Sequence, residues 1–242
     1  MITARKHRAA ELLLDRYNRY LLRRHFHALH YRGAPHGEGL DRTRPMIFYG
    51  NHSSWWDGLV TYMLSREHLA LDGYWMMEER QLARYGFFRR TGAFSVNRGS
   101  SVGAIRALEY AGGLFDRPNR ALWMFPQGVI RPNDTRPLEF ERGIAFLGSR
   151  LGNAQLVPVA LRYEFLGDQR PEVFVQLGAP IQSAECPDQT QLLVQLEHRL
   201  TDLLDDVRCA VVEGRLDMST TILRGRQSTN TVLDRVLGRE RM

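Results

Sequence analysis

From residue 46 to residue 212 the sequence alternates short apolar runs with stretches of helical periodicity. Met46–Tyr49, Tyr74–Met77, Ala93–Val96, Ala121–Phe125, Leu156–Leu161 and Val173–Leu177 read as strands. Trp56–Arg66, a piece near Glu78–Arg84, Ser101–Leu114, Arg142–Leu151 and Gln189–Val212 read as helices. A chain patterned this way must lay its helices on a substantial sheet, so the predicted class is α/β. Pro158 lies inside the run Leu156–Leu161. Proline brings no donor to a ladder, so it predicts an edge strand, a strand start or a bulge. Val157 and Val159 beside it read as core.

Before this block, residues 3–30 read as a single helix with Ala10, Leu13, Leu14, Tyr17, Tyr20 and Leu21 on one stripe. Residues 31–45 are rich in Gly and Pro and read as a linker. The organisation expected for the 242 residues is an amphipathic arm at 1–32, a domain at 33–213 and a polar, weakly patterned tail at 214–242. The arm holds the charge. Residues 1–32 carry eight basic and two acidic groups, which accounts for the net +6 of the whole chain; Lys6 is the only lysine. A basic amphipathic helix suits an anionic membrane surface, apolar side down. The same stripe is equally suited to packing on the domain. Arginines alternating with Tyr17, Tyr20, Phe26 and Tyr31 also fit a nucleic-acid-binding arm. The amphipathicity of the arm and the neutrality of the remainder count against that reading, and no nucleic-acid partner is expected.

No run of eighteen apolar residues is present, so no spanning helix is expected. The first residues lack the apolar stretch of a secretory signal. Cys186 and Cys209 do not form a disulfide framework, and a reducing compartment is the expectation. His25, His27, His30 and His36 lie close in sequence, but no carboxylate or cysteine completes a metal spacing, and no metal is expected.

The stretch at 50–58, G-N-H-S-S-W-W-D-G, holds the chemistry. On one ideal helix, His52 and Asp57 would diverge by about 140°. They meet only if His52 lies in the turn and Asp57 in the first helical turn. Two readings share that geometry. In one, Ser54-x-x-Asp57 is a capping box and His52 is a turn residue. In the other, Asp57 takes the N–H of His52, fixes its tautomer and leaves the second ring nitrogen as a general base toward a hydroxyl. Spacing alone favours the cap.

Other segments bear on the choice. N-H-S-S-W-W-D at 51–57 resembles the N-H-x-S-x-x-D block of the glycerolipid acyltransferase superfamily, typified by 1-acylglycerol-3-phosphate acyltransferases. G-A-F-S-V-N-R at 92–98, F-P-Q-G at 125–128 and V-P-V at 157–159 resemble its next three blocks, in order. The likeness covers roughly residues 45–180. It implies a mixed sheet flanked by helices, with His52 as general base and Asp57 as its partner. Arg98, Gln127, Gly128 and Arg131 would bind substrate. The acyl donor would be a thioester of coenzyme A or acyl carrier protein, with no other cofactor. The acceptor would be a lysophospholipid or another hydroxyl lipid, and the enzyme would sit peripherally on the cytoplasmic face of the cell membrane. Backbone amides around Gly128 would face the oxyanion. Arg98, ahead of a helix capped by Ser100 or Ser101, would hold a phosphate.

The third block departs from the superfamily's F-P-E-G-T-R-S. Gln127 replaces a glutamate, and Ile130 stands where an arginine is usual, with Arg131 one residue later. Asn97 stands where aspartate is frequent. These changes leave the base untouched and open the acceptor. A phosphate-bearing glycerol lipid is the default, and a neutral glycosylated or hydroxylated lipid is the alternative.

Overall fold

The computed structural model describes residues 1–186, 188–215 and 219–226. Among these, nine strands form one sheet: β1 (Ala28–Arg32), β2 (Met46–Gly50), β3 (Asp72–Glu78), β4 (Ala93–Val96), β5 (Arg120–Met124), β6 (Gln155–Glu164), β7 (Glu172–Leu177), β8 (Ile181–Gln182) and β9 (Thr220–Arg224). The α-helices are α1 (Arg8–His25), α2 (Asp57–Met63), α3 (Glu79–Arg84), α4 (Ser101–Gly112), α5 (Gly143–Leu151) and α6 (Gln189–Val212). The strand order is β4-β3-β5-β2-β6-β7-β1-β9, with β8 on β6. β4, β3, β5, β2 and β6 run parallel. β7 turns back antiparallel on β6, β1 is parallel to β7, and β9 is antiparallel to β1. This is the mixed α/β sheet that the sequence resemblance implies.

Strand periodicity divides the core into two layers. Ile47, Leu122 and Met124 face one side with Leu108 and Ala111 of α4, Ile144 and Leu147 of α5, and Leu196 and Leu200 of α6. Met46, Phe48 and Trp123 face the other with Leu14 and Leu22 of α1 and Val60 of α2. Every residue of β2 is buried, which is why that strand reads as an unbroken apolar run.

The amino-terminal helix is shorter than expected. It ends at His25, and Ala28–Arg32 forms a strand inside the sheet. Ala28, Leu29 and Tyr31 are buried there, so the local sequence serves a sheet despite its helical spacing. The apolar stripe is split. Ala10 and Leu14 pack on the domain with Asn18 and Leu22, while Leu13, Tyr17 and Tyr20 stay exposed. Two of the histidines meet carboxylates distant in sequence: His27 lies 3.1 Å from Asp168 and His30 lies 2.6 Å from Glu172.

Pro158 lies in an interior strand, at a bulge and not at an edge: residues 157 and 158 stand opposite 178–180, between the pairs Val159–Leu177 and Leu156–Ile181. It stands in register with Tyr49, and its carbonyl accepts the N–H of Gly178. Its nitrogen therefore faces the bend between β7, which pairs up to Leu177, and β8, which resumes at Ile181. Neither β7 nor β8 pairs with β6 in that gap, so the missing donor breaks no ladder bond with them. In the stretch read as a tail, Thr220–Arg224 pairs with β1, while residues 227–242 lie outside the described residues.

Candidate active site

The parallel strands β2, β4, β5 and β6 end on one edge of the sheet, and the loops after them bring the motif residues together. Asn51 anchors the first loop. Its side-chain amide donates to the Leu161 carbonyl at 2.9 Å and its Oδ1 accepts the Leu161 N–H at 2.8 Å. His52 follows, with its backbone held on both sides by the β5 loop. Its N–H donates to Gln127 Oε1 at 2.7 Å, and its carbonyl accepts from the Arg131 N–H at 2.8 Å. The imidazole stacks on Phe125 with ring centroids 4.7 Å apart.

Asp57 is the first residue of α2 and is completely buried. Its Oδ2 lies 2.7 Å from His52 Nδ1 and also accepts the N–H groups of Ser53 at 2.8 Å and Ser54 at 2.9 Å. The capping-box reading of the 50–58 stretch is met only in part, because the residue preceding α2 is Trp56 and no side chain caps the helix. The carboxylate does reach back to the Ser54 amide. The reciprocal half of the box is absent, because Ser54 Oγ accepts from Trp56, two residues on. Oδ1 of Asp57 accepts the hydroxyl of Tyr163 at 2.6 Å. Burial, and then the Asp57 charge, hold that phenol protonated well above its usual range.

With Nδ1 committed to Asp57, Nε2 is the ring nitrogen left for chemistry. His52 retains 24 % side-chain exposure, so the ring is reachable from outside the protein. Trp55 beside it is exposed, while Trp56 packs edge-on against Phe26.

The remaining motif residues are differently employed. Gln127 is buried and holds the His52 backbone, a role that needs an acceptor oxygen and no charge. Gly128 has φ +67°, a conformation that favours glycine, and the Arg98 guanidinium lies over it, 2.5 Å from where a Cβ would stand. The Gly128 N–H closes a turn onto the Phe125 carbonyl at 2.9 Å, so that amide is not available to an oxyanion. Arg98 donates to the Gly128 carbonyl at 2.6 Å and pairs with Glu141 at 2.8 Å. Arg131 pairs with Glu139 at 2.6 Å. Ile130 is exposed beside it. Ser100 caps α4 by accepting the Gly103 N–H. Sequence reasoning missed Tyr163 because nothing near 163 resembles a motif. The Asn51 bonds had a signal, since Asn51 opens the quoted block.

A parallel-sheet edge carrying a buried carboxylate, a partly exposed imidazole and a glycine turn makes this loop cluster the candidate site of an α/β enzyme. The chain belongs to the acyltransferase family, whose model matches residues 34–162. It is an acyltransferase enzyme, and its fold is similar to that of the 1-acyl-sn-glycerophosphate (LPA) acyltransferase PlsC from Thermotoga maritima. That match has a TM-score of 0.59 and 15% sequence identity, and covers 83% of this chain and 79% of that one. No curated protein matches the sequence.

Proposed function

We propose that the protein transfers a fatty acyl group from a thioester of coenzyme A or acyl carrier protein to the hydroxyl of a lipid. The observation that carries this reading is the 2.7 Å contact between His52 Nδ1 and the buried Asp57 carboxylate. The acceptor O–H gives its proton to His52 Nε2 as its oxygen attacks the thioester carbonyl. The tetrahedral intermediate collapses with cleavage of the C–S bond, and His52 returns the proton to the departing thiolate. The products are an ester and a free thiol. Asp57 fixes the tautomer and stabilises the imidazolium between the two transfers.

The default acceptor is a lysophospholipid such as 1-acylglycerol-3-phosphate, by likeness to PlsC. A second reading, a neutral hydroxyl lipid, is favoured by the ion pairs Arg98–Glu141 and Arg131–Glu139, which leave the two arginines already matched by carboxylates. Attachment is proposed to be peripheral, at the cytoplasmic face of the membrane. The exposed Leu13, Tyr17 and Tyr20 of α1, interspersed with Arg16, Arg23 and Arg24, would supply the contact. Among the described residues no helix is long and apolar enough to cross a membrane.

The test is to offer the purified chain a labelled acyl-CoA together with a total lipid extract, with the His52→Ala variant alongside. A labelled ester formed only by the wild type is expected, and its headgroup names the acceptor. Equal labelling by both proteins would overturn the reading.

A further inference from the structure

We propose that Tyr163 is a positioning residue for the His52–Asp57 pair, sharing the Asp57 charge and fixing the plane of its carboxylate. The two carboxylate oxygens have different partners. Oδ2 takes three donors, the His52 ring and the amides of Ser53 and Ser54. Among the described residues Oδ1 has one hydrogen-bond donor, the Tyr163 hydroxyl at 2.6 Å. A carboxylate held at one oxygen turns about its Cβ–Cγ bond, whereas one held at both does not.

The hydroxyl is delivered from a rigid support. Tyr163 lies near the end of β6, in register with Val173 of β7. Its ring meets Phe26, which follows α1, with centroids 5.9 Å apart. The phenol stays protonated because it is buried beside a carboxylate, so it acts only as a donor to Asp57. Donation to Oδ1 draws negative charge toward that oxygen and away from Oδ2, and so sets how strongly Oδ2 holds the His52 Nδ1–H. Both effects act on the base through Asp57, without contact to substrate.

The kinetic arm of the test rests on the acyl-transfer reading, and the spectroscopic arm does not. Full-length wild type, Tyr163→Phe and a protein carrying 3-fluorotyrosine at 163 are compared by proton NMR at one pH. The signal followed is the His52 Nδ1–H, assigned by its loss in His52→Gln. Removing the donor leaves more charge on Oδ2, so the signal moves downfield in Tyr163→Phe. The fluorinated ring is a stronger donor of nearly the same shape, so the signal moves upfield. Turnover with palmitoyl-CoA and the acceptor identified above falls about ten- to a hundredfold in Tyr163→Phe, with both KM values unchanged.

Coincident resonances in all three proteins would overturn the proposal, as would a loss confined to KM. Should Tyr163→Phe fail to fold, the fluorinated protein decides alone. A wild type with no transferase activity would overturn the functional reading, while shifted resonances would still establish the coupling.

Discussion

Gln127 Oε1 accepts the backbone N–H of His52 at 2.7 Å, so a side chain on the β5 loop fixes the main chain that carries the imidazole. A glutamate there accepts the same bond, whereas leucine leaves a buried N–H unpaired. Gln127→Glu is therefore expected to keep turnover within a few-fold of wild type. Gln127→Leu should lose about 1–3 kcal/mol of stability and lower turnover in step. Melting and steady-state rates measured on both variants check this.

Removing the base separates chemistry from folding. His52 is partly exposed, and His52→Ala is expected to fold with a near-native melting temperature and to lose transfer altogether. Asp57→Asn is different, because the carboxylate is buried and collects four donors. An amide group presents a donor where an acceptor is needed. The expected cost is several orders of magnitude in turnover and about 1–3 kcal/mol in stability. An Asp57→Asn protein with full turnover and a lowered melting point would leave Asp57 as a cap alone.

Arg98 and Arg131 are distinguishable by acceptor. Arg98 holds the Gly128 carbonyl as well as Glu141, so Arg98→Ala should depress turnover on phosphorylated and neutral acceptors alike by loosening the turn. Arg131→Ala should be nearly silent with a neutral acceptor. With a phosphate contact it should raise the acceptor KM about ten- to a hundredfold, the effect of one charge-assisted bond. Assaying lysophosphatidic acid beside a neutral hydroxyl lipid decides between them.

The proposed membrane contact of α1 is tested by substitution, not by truncation. Deleting residues 1–32 would remove β1 and the buried Leu14, Leu22 and Phe26, each worth about 1.5–3 kcal/mol of burial. Such a protein is expected to unfold. Replacing the exposed Leu13, Tyr17 and Tyr20 by serine should leave the melting temperature within about 2 °C, as surface changes usually do, and weaken binding to anionic vesicles. Unchanged vesicle binding would assign attachment to another surface.

His68 gives stability a dependence on pH. Burial, and secondarily His36, lower its folded value below the ordinary 6.5. The unfolded chain then takes up a proton near 6.5, while the folded chain resists until further down. The contribution is intact above that value and declines as pH falls below it. His68→Gln should reduce the fall in melting temperature between pH 7 and pH 5, measured against wild type in matched ionic strength.

The parallel half of the fold was legible because fully buried strands leave apolar runs and the intervening helices keep their periodicity. Gln189–Val212 and Ala93–Val96 fall where the pattern puts them. The amino-terminal end was not legible. His27 and His30 satisfy a helical wheel as well as a strand, and only their distant partners Asp168 and Glu172 distinguish the two. Pro158 signalled a local irregularity, but not that it would lie in an interior strand, because that depends on where β7 stops, some twenty residues away. At the site, spacing alone favoured a helix cap, and the family resemblance was what pointed to His52 beside Asp57, a contact the turn before α2 makes possible. Spacing was silent on Tyr163 and on the neutralised arginines, whose partners are set by tertiary placement.

The position of β1 has a bearing on how the chain is made. Leu29 pairs with Val173 on one side and Leu223 on the other. β1 thus finds both neighbours only once β7 and β9, far later in the sequence, have been made. The parallel half, β2 to β6, can collapse first, and β1 joins the sheet last. Such long-range closure slows folding and leaves an apolar strand unpaired for the duration of synthesis. The net positive charge of residues 1–32 would keep that waiting segment from associating with its like.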